Sequence, residues 1–144
     1  LAHYHVGSIE GLRRTAACEG ARSLLEGPFR EALEASNLRE GLLAFLLRLD
    51  LKPDYPGVVL LNEALVAATH DAELRSDLAT MFSTFRARLA ERLAAQKGAH
   101  AGEAEARALV LVAAVDGFLL QRALDPNLGA EQLIRGIEPF LEPQ

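Results

Sequence analysis

Tryptophan is missing from this chain, and cysteine and methionine occur once each. A lone Cys18 excludes a disulfide framework and a cysteine-based metal set, and it fits a reducing, cytoplasmic setting. Without an activating base nearby in sequence, it reads as a small packed residue. β-Branched residues are scarce and no segment alternates with period two, which excludes a sheet. No apolar run reaches the length of a bilayer span, and no signal peptide is visible. Glycine-rich phosphate loops and nucleophile elbows are absent. The four histidines (His3, His5, His70 and His100) do not pair with acids at ligand spacing, so no metal site, catalytic residue or cofactor is expected. A net charge of −5 is mild and argues against these residues alone forming a nucleic-acid surface. Six arginines face six acids through Arg48, so no basic patch hides in the first third.

What is present is helix-forming: half the residues are hydrophobic, and Ala, Leu, Glu and Arg dominate. At 144 residues the chain is one domain by size, large enough to bury a core. The pattern predicts a helix over Ile9–Glu26, capped by Ser8 and stopped by Gly27-Pro28, with an inner face of Ile9, Leu12, Ala16 and Leu24. Small residues Ala17, Gly20 and Ala21 would let a neighbour approach it. A short helix follows over Pro28–Ala35, with proline at its first position. Asn37 and Glu40 give a capping-box-like start to a helix through Leu49. The turn-rich Lys52–Gly57 stretch separates it from an apolar helix over Val58–His70. Asp71 starts a long helix with Leu74, Leu78, Met81, Phe82, Phe85, Leu89 and Leu93 in one stripe, and Lys97–Gly102 reads as a flexible loop.

From Ala108 to Leu120 only Asp116 is charged or strongly polar. A helix apolar all round must be covered on every side, here by its own core and by another chain. The final helix, from Gly129, carries Leu133, Ile134, Ile137, Phe140 and Leu141 on one side, with Gly136 permitting close packing. Such a pair suits a four-helix bundle across a twofold axis. Leu109, Val112, Asp116, Leu119, Leu133, Ile137 and Phe140 are the expected dimer-interface residues. Asp116 needs a partner in so apolar a helix.

Asn62 and Glu63 interrupt an otherwise apolar segment. Asn62 either makes a buried structural hydrogen bond or orients a small ligand in an apolar cavity. Phe45, Met81, Phe82, Phe85 and Phe118 are core by their spacing, and they share a wall with any cavity beside them. Gln121 faces either the cavity or the dimer seam.

Both ends of the chain carry a family resemblance. Leu1 to Leu12 reads as the tail of one helix, a Gly7-Ser8 turn and the start of another. The run Tyr4-His5-Val6-Gly7-Ser8-Ile9-Glu10 resembles the end of the recognition helix of TetR-family transcriptional regulators, where Phe and Lys usually stand at the places of Val6 and Ile9. Near the other end, Asp116-Gly-Phe-Leu-Leu-Gln-Arg-Ala-Leu-Asp-Pro is similar to that family's D-G-L-L-L-Q-x-L-x-D-P.

The resemblance implies an all-α, TetR C-terminal-like helical bundle that dimerises through a four-helix bundle of its last two helices. Residues 1–8 would then be the remnant of a helix-turn-helix DNA-binding domain, and 9–144 the ligand-binding and dimerisation domain. It further implies a homodimer that binds operator DNA through the mostly absent N-terminal domain, with Tyr4 and His5 on phosphates. A small apolar or amphipathic effector would enter between the Asn37–Leu49, Val58–His70, Asp71–Lys97 and Ala108–Leu124 helices. The expected ligand pocket comprises Phe45, Asn62, Met81, Phe82, Phe85, Phe118 and Gln121. Release of a repressor from its operator follows if the helix from Ile9 swings as a rigid lever. The competing readings are a helical dimeric scaffold or small-molecule carrier, and a helical enzyme, for which few titratable groups are available.

Overall fold

The computed structural model describes residues 8–50, 56–96, 98 and 100–141. Seven helices follow one another: α1 Ile9–Glu26, α2 Pro28–Glu34, α3 Leu38–Asp50, α4 Pro56–Ala68, α5 Ala72–Ala94, α6 Ala101–Leu124 and α7 Ala130–Leu141. No strand occurs among the described residues.

The starts of the helices follow from local chemistry. The Ser8 hydroxyl accepts from the Gly11 N–H at 3.0 Å, which satisfies one donor that the first turn of α1 leaves unpaired. The Asn37 side chain likewise accepts from the Glu40 N–H at 3.2 Å ahead of α3. Asp71 caps α5 by accepting from both Glu73 and Leu74 at 3.1 Å. Gly27 closes α1, its N–H donating to Ser23, and Pro28 opens α2 where a missing N–H costs nothing. Gly98, with φ 90°, sits in the turn between α5 and α6, a backbone angle that glycine adopts without a Cβ penalty.

Packing runs as a chain of neighbours. α1 lies on α4, α2 and α5; α2 pairs with α3; α5 carries α6; and α7 closes the end against α3 and α6. One continuous core holds them, with Leu24, Leu46, Leu74, Leu93, Leu111, Ile134 and Leu141 essentially without solvent contact. α1 and α4 meet at closest range at Gly20, where an added Cβ would stand 2.4 Å from the Leu60 Cβ. Side chains from distant helices also tie off helix ends. Arg92 donates to the Ala35 and Ser36 carbonyls at 2.7 and 2.8 Å, and Gln96 donates to Leu141 O at 2.7 Å. Arg107, only 6 % exposed, donates from Nε to Phe140 O at 2.9 Å. Arginine near the last carbonyls of a helix offsets the negative end of its dipole.

Three sequence expectations are corrected. The inner face of α1 is built from Ala17, Cys18, Gly20, Ala21, Leu24 and Leu25, while Ile9 and Leu12 are 75 % and 55 % exposed and Ala16 is exposed. The first turn of α1 buries Gly11 and leaves Ile9 and Leu12 on the open side, and the Arg14–Asp71 ion pair ties the next turn to the start of α5. The segment expected to be apolar from Ala108 is the second half of a longer helix that begins at Ala101, so Gly102 belongs to the helix and not to the loop. α4 starts at Pro56 and ends at Ala68, where Thr69 and His70 turn the chain by bonding back to Val66 and Ala67.

Candidate effector grooves and subunit face

The phenylalanines proposed from sequence converge on the centre of the bundle. Phe45 and Phe85, on α3 and α5, are both buried and meet through Phe29 of α2, with ring centroids 4.1 and 5.0 Å from it. Edge and tilted contacts of this kind satisfy the ring quadrupoles, so the three aromatics fill space between α2, α3 and α5. Phe82 and Phe118 are buried in the same core, and Met81 packs against it half-exposed. Asn62 is half-buried on α4, whereas its neighbour Glu63 is exposed. Gln121 is exposed on α6 and does not join the phenylalanines.

Open space lies around this filled centre. A groove of about 840 Å³ runs between α1, α4 and the start of α5. Arg13, Arg14, Glu63, His70, Asp71 and Glu73 line it with Ala17, Val66, Ala67 and Ala72. Its wall contains the 2.8 Å ion pair from Arg14 Nη1 to Asp71 Oδ2. The backbone N–H of Leu74 holds the Asp71 carboxyl below its ordinary pKa, against the opposing pull of burial and with help from the Arg14 charge. A second groove, about 500 Å³, lies between α1, α2 and α5, with Met81, Phe85 and Leu25 within it and Arg22, Arg30 and Arg88 around it. Among the described residues no group of three or more His, Cys, Asp and Glu is placed to hold a metal ion.

The residues proposed for subunit contact divide by position. Leu109 is 56 % exposed and Phe140 is 37 % exposed, Asp116 and Leu133 are half-buried, and Val112, Leu119 and Ile137 are spent in the chain's own core. Those last three sit on the α6 and α7 faces turned toward the bundle, so they have almost no surface left to give another chain. Their place on the outer face is taken by residues that the sequence pattern did not single out. Val110, Ala113, Leu120 and Leu124 are exposed beside Leu109, a stripe at helical spacing along α6. Gly117 and Gly136, on α6 and α7, open onto empty space in which a Cβ would meet nothing within 4 Å.

Asp116 lies on the α5 side of this helix. Burial drives its carboxyl up to a pKa of about 6, and the positive charge of Arg86 on α5 opposes that rise. A carboxylate partly withdrawn from water without full compensation behaves in this way. Tyr4 and His5 lie outside the described residues.

Among the described residues, geometry and sequence define an all-helical domain with a central core, surface grooves and an exposed apolar stripe on α6. The family described as Tetracyclin repressor-like, C-terminal domain, matches residues 33–142, and the chain belongs to it. Neither a curated protein nor a solved structure matches the chain. Among the described residues no helix is long and apolar enough to cross a membrane.

Proposed function

We propose that this chain is the sensor and dimerisation body of a ligand-responsive, DNA-binding transcriptional regulator that acts as a repressor. The observation that carries the reading is the family match over residues 33–142, which spans α3 to α7. The geometry supports it in two ways. The exposed apolar stripe on α6, next to Phe140 on α7, offers a self-complementary surface of the kind a twofold axis uses. Ile9 and Leu12 project from the start of α1, where a preceding domain would need support.

In this reading residues 1–8 end a helix-turn-helix, and Tyr4 and His5 lie on operator phosphates. The effector binds one arrangement of α1 better than the other and so weakens operator binding, which is all a ligand needs to do. The test is operator binding by the full-length protein. It binds a palindromic site as a dimer with steep salt dependence, and Tyr4→Ala weakens that binding. A monomer at micromolar concentration, or salt-independent binding, would overturn the reading.

A second reading, a dimeric scaffold or carrier with no DNA-regulatory role, draws on the Phe29–Phe45–Phe85 contacts, which fill the space where an enclosed cavity was expected. A scaffold predicts that no small molecule raises the melting temperature, whereas an effector or a carried ligand does so by mass action; a carrier is told from a regulator by ligand binding that leaves operator binding unchanged.

A further inference from the structure

We infer that the groove between α1, α2 and α5 is the effector site, and that it takes an amphipathic anion: a carboxylate or sulfonate on an apolar body. The inference rests on the regulator reading for its biological meaning, but its chemistry stands on the groove itself. At about 500 Å³ the groove has the size of a small-molecule site. Its floor is apolar, with Leu25 and Phe85 buried and Met81 half-exposed at the surface. Met81 is the part of that floor still open to an organic body, whose contact with it removes apolar surface from water; Leu25 and Phe85 back it from the core and add little surface of their own.

The rim decides the sign of the ligand's charge. Arg22, Arg30 and Arg88 line the groove against one acid, Glu26, on a chain whose net charge is −5. None of the three arginines is firmly engaged. Arg22 meets Glu19 at 3.2 Å and Arg30 stands 3.8 Å from Glu34, in both cases with exposed partners on the same helix. Exposed pairs of this kind contribute little, so exchanging them for a ligand's anion costs little. Arg88 makes no ion pair among the described residues. It also lines the adjoining groove of about 540 Å³ together with Arg30. Two guanidinium forks reaching one space from α2 and α5 suit a planar carboxylate or a sulfonate, which can take parallel N–H donors.

Position gives the site its consequence. The ligand touches the second half of α1 on one side and the middle of α5 on the other, so occupancy sets how these two helices lie against each other. The Arg14–Asp71 pair holds α1 nearer its start and shares no residue with this groove, so the two contacts can act on α1 separately.

The experiment uses matched probes at sub-micellar concentration: decanoate against decylammonium, and 2-naphthalenesulfonate against 2-naphthylmethylammonium. Calorimetry and thermal shift are recorded on the wild type and on the Arg30→Gln/Arg88→Gln variant, whose exposed substitutions leave the core untouched. The expected result is that an anion of at least one pair binds tenfold or more tighter than its cation, and that the variant loses this preference. Met81→Glu abolishes binding of that anion. Equal binding of cations, an unchanged preference in the variant, or no binding of either anion overturns the assignment. Operator release by the full-length protein separates the two claims. If other small molecules release it and these anions do not, the site falls and the regulator stands. If anions bind as expected and nothing releases the operator, the site stands and the regulator falls.

Discussion

Asp116 carries an acid into the seam between α5 and α6, and its titration has a definite sign. Its folded pKa of about 6 lies above the unfolded value of 3.8, so the folded protein holds a proton that the unfolded chain has lost across that window. Stability is therefore fully present below the unfolded value and declines as pH rises through about 6. Asp116→Asn removes this decline and raises stability at pH 7.5 by up to about 3 kcal/mol, since a tenfold difference in proton affinity between the two states corresponds to about 1.4 kcal/mol. Urea unfolding at pH 4, 5, 6 and 7.5 checks this; parallel curves for wild type and variant would refute it. Gly20 makes an opposite case. Alanine ordinarily gains about 1 kcal/mol over glycine in a helix. Here the new methyl meets the Leu60 Cβ at 2.4 Å, an atom tied directly to the α4 backbone. Gly20→Ala is expected to destabilise by about 1–3 kcal/mol. Adding Leu60→Gly, which removes the Cβ itself, recovers part of the loss of the first substitution in a double-mutant cycle, and strict additivity would exclude the contact as its cause.

At the scale of the element, helix starts were the most legible features, because a cap needs only neighbours in sequence. Ser8, Asn37 and Asp71 each hold the backbone N–H groups their positions suggested. Asp71 allows the cap to be separated from the ion pair. Asp71→Asn keeps the cap and loses the charge toward Arg14, and so costs a few tenths of a kcal/mol. Asp71→Ala loses both and costs about 1 kcal/mol more. Equal melting temperatures for the two variants would show that the cap contributes nothing. Faces were harder to read than starts. Ile9 and Leu12 fit the helical period of a buried face, yet it is Gly11 between them that is buried, because exposure depends on what stands opposite and periodicity does not tell that. The same limit applies to α6: its all-round apolarity was evident, but which side met its own core was decided by how α5 and α7 pack. The arginine contacts left no trace in sequence. Arg14 reaches Asp71, and Arg92 reaches Ala35, across 57 positions each. The outer α6 stripe has its own test. Leu109→Glu with Leu120→Glu yields a folded monomer by sedimentation and circular dichroism, whereas Phe118→Glu, with its ring in the core, unfolds the chain. A double variant that remains dimeric would remove this face from the interface.

For the whole molecule, the all-helical class was legible from what the sequence lacks as much as from its periodicity, and the match over residues 33–142 bears it out. The open question was how hollow the body is. Aromatic contacts fill the centre, and open grooves lie along α1, lined in part by long arginines whose reach sequence patterns do not reveal. The expectation at this scale is that dimer assembly, effector binding and operator affinity are linked. Disrupting the α6 face weakens operator binding at low protein concentration, and raising the concentration restores it. Gel-shift titration measures this, and concentration-independent affinity would break the link.

The close meeting of Gly20 with Leu60 makes α1 a beam with a fixed fulcrum. Ile9 stands about 16 Å up the helix from that point, at 1.5 Å of rise per residue. If α1 tilts by about 10° there, Ile9 moves through about 3 Å, and in the proposed dimer the two displacements combine. Small rearrangements beside the fulcrum thus become large ones at the tip, and widening residue 20 would jam the beam as well as weaken the fold.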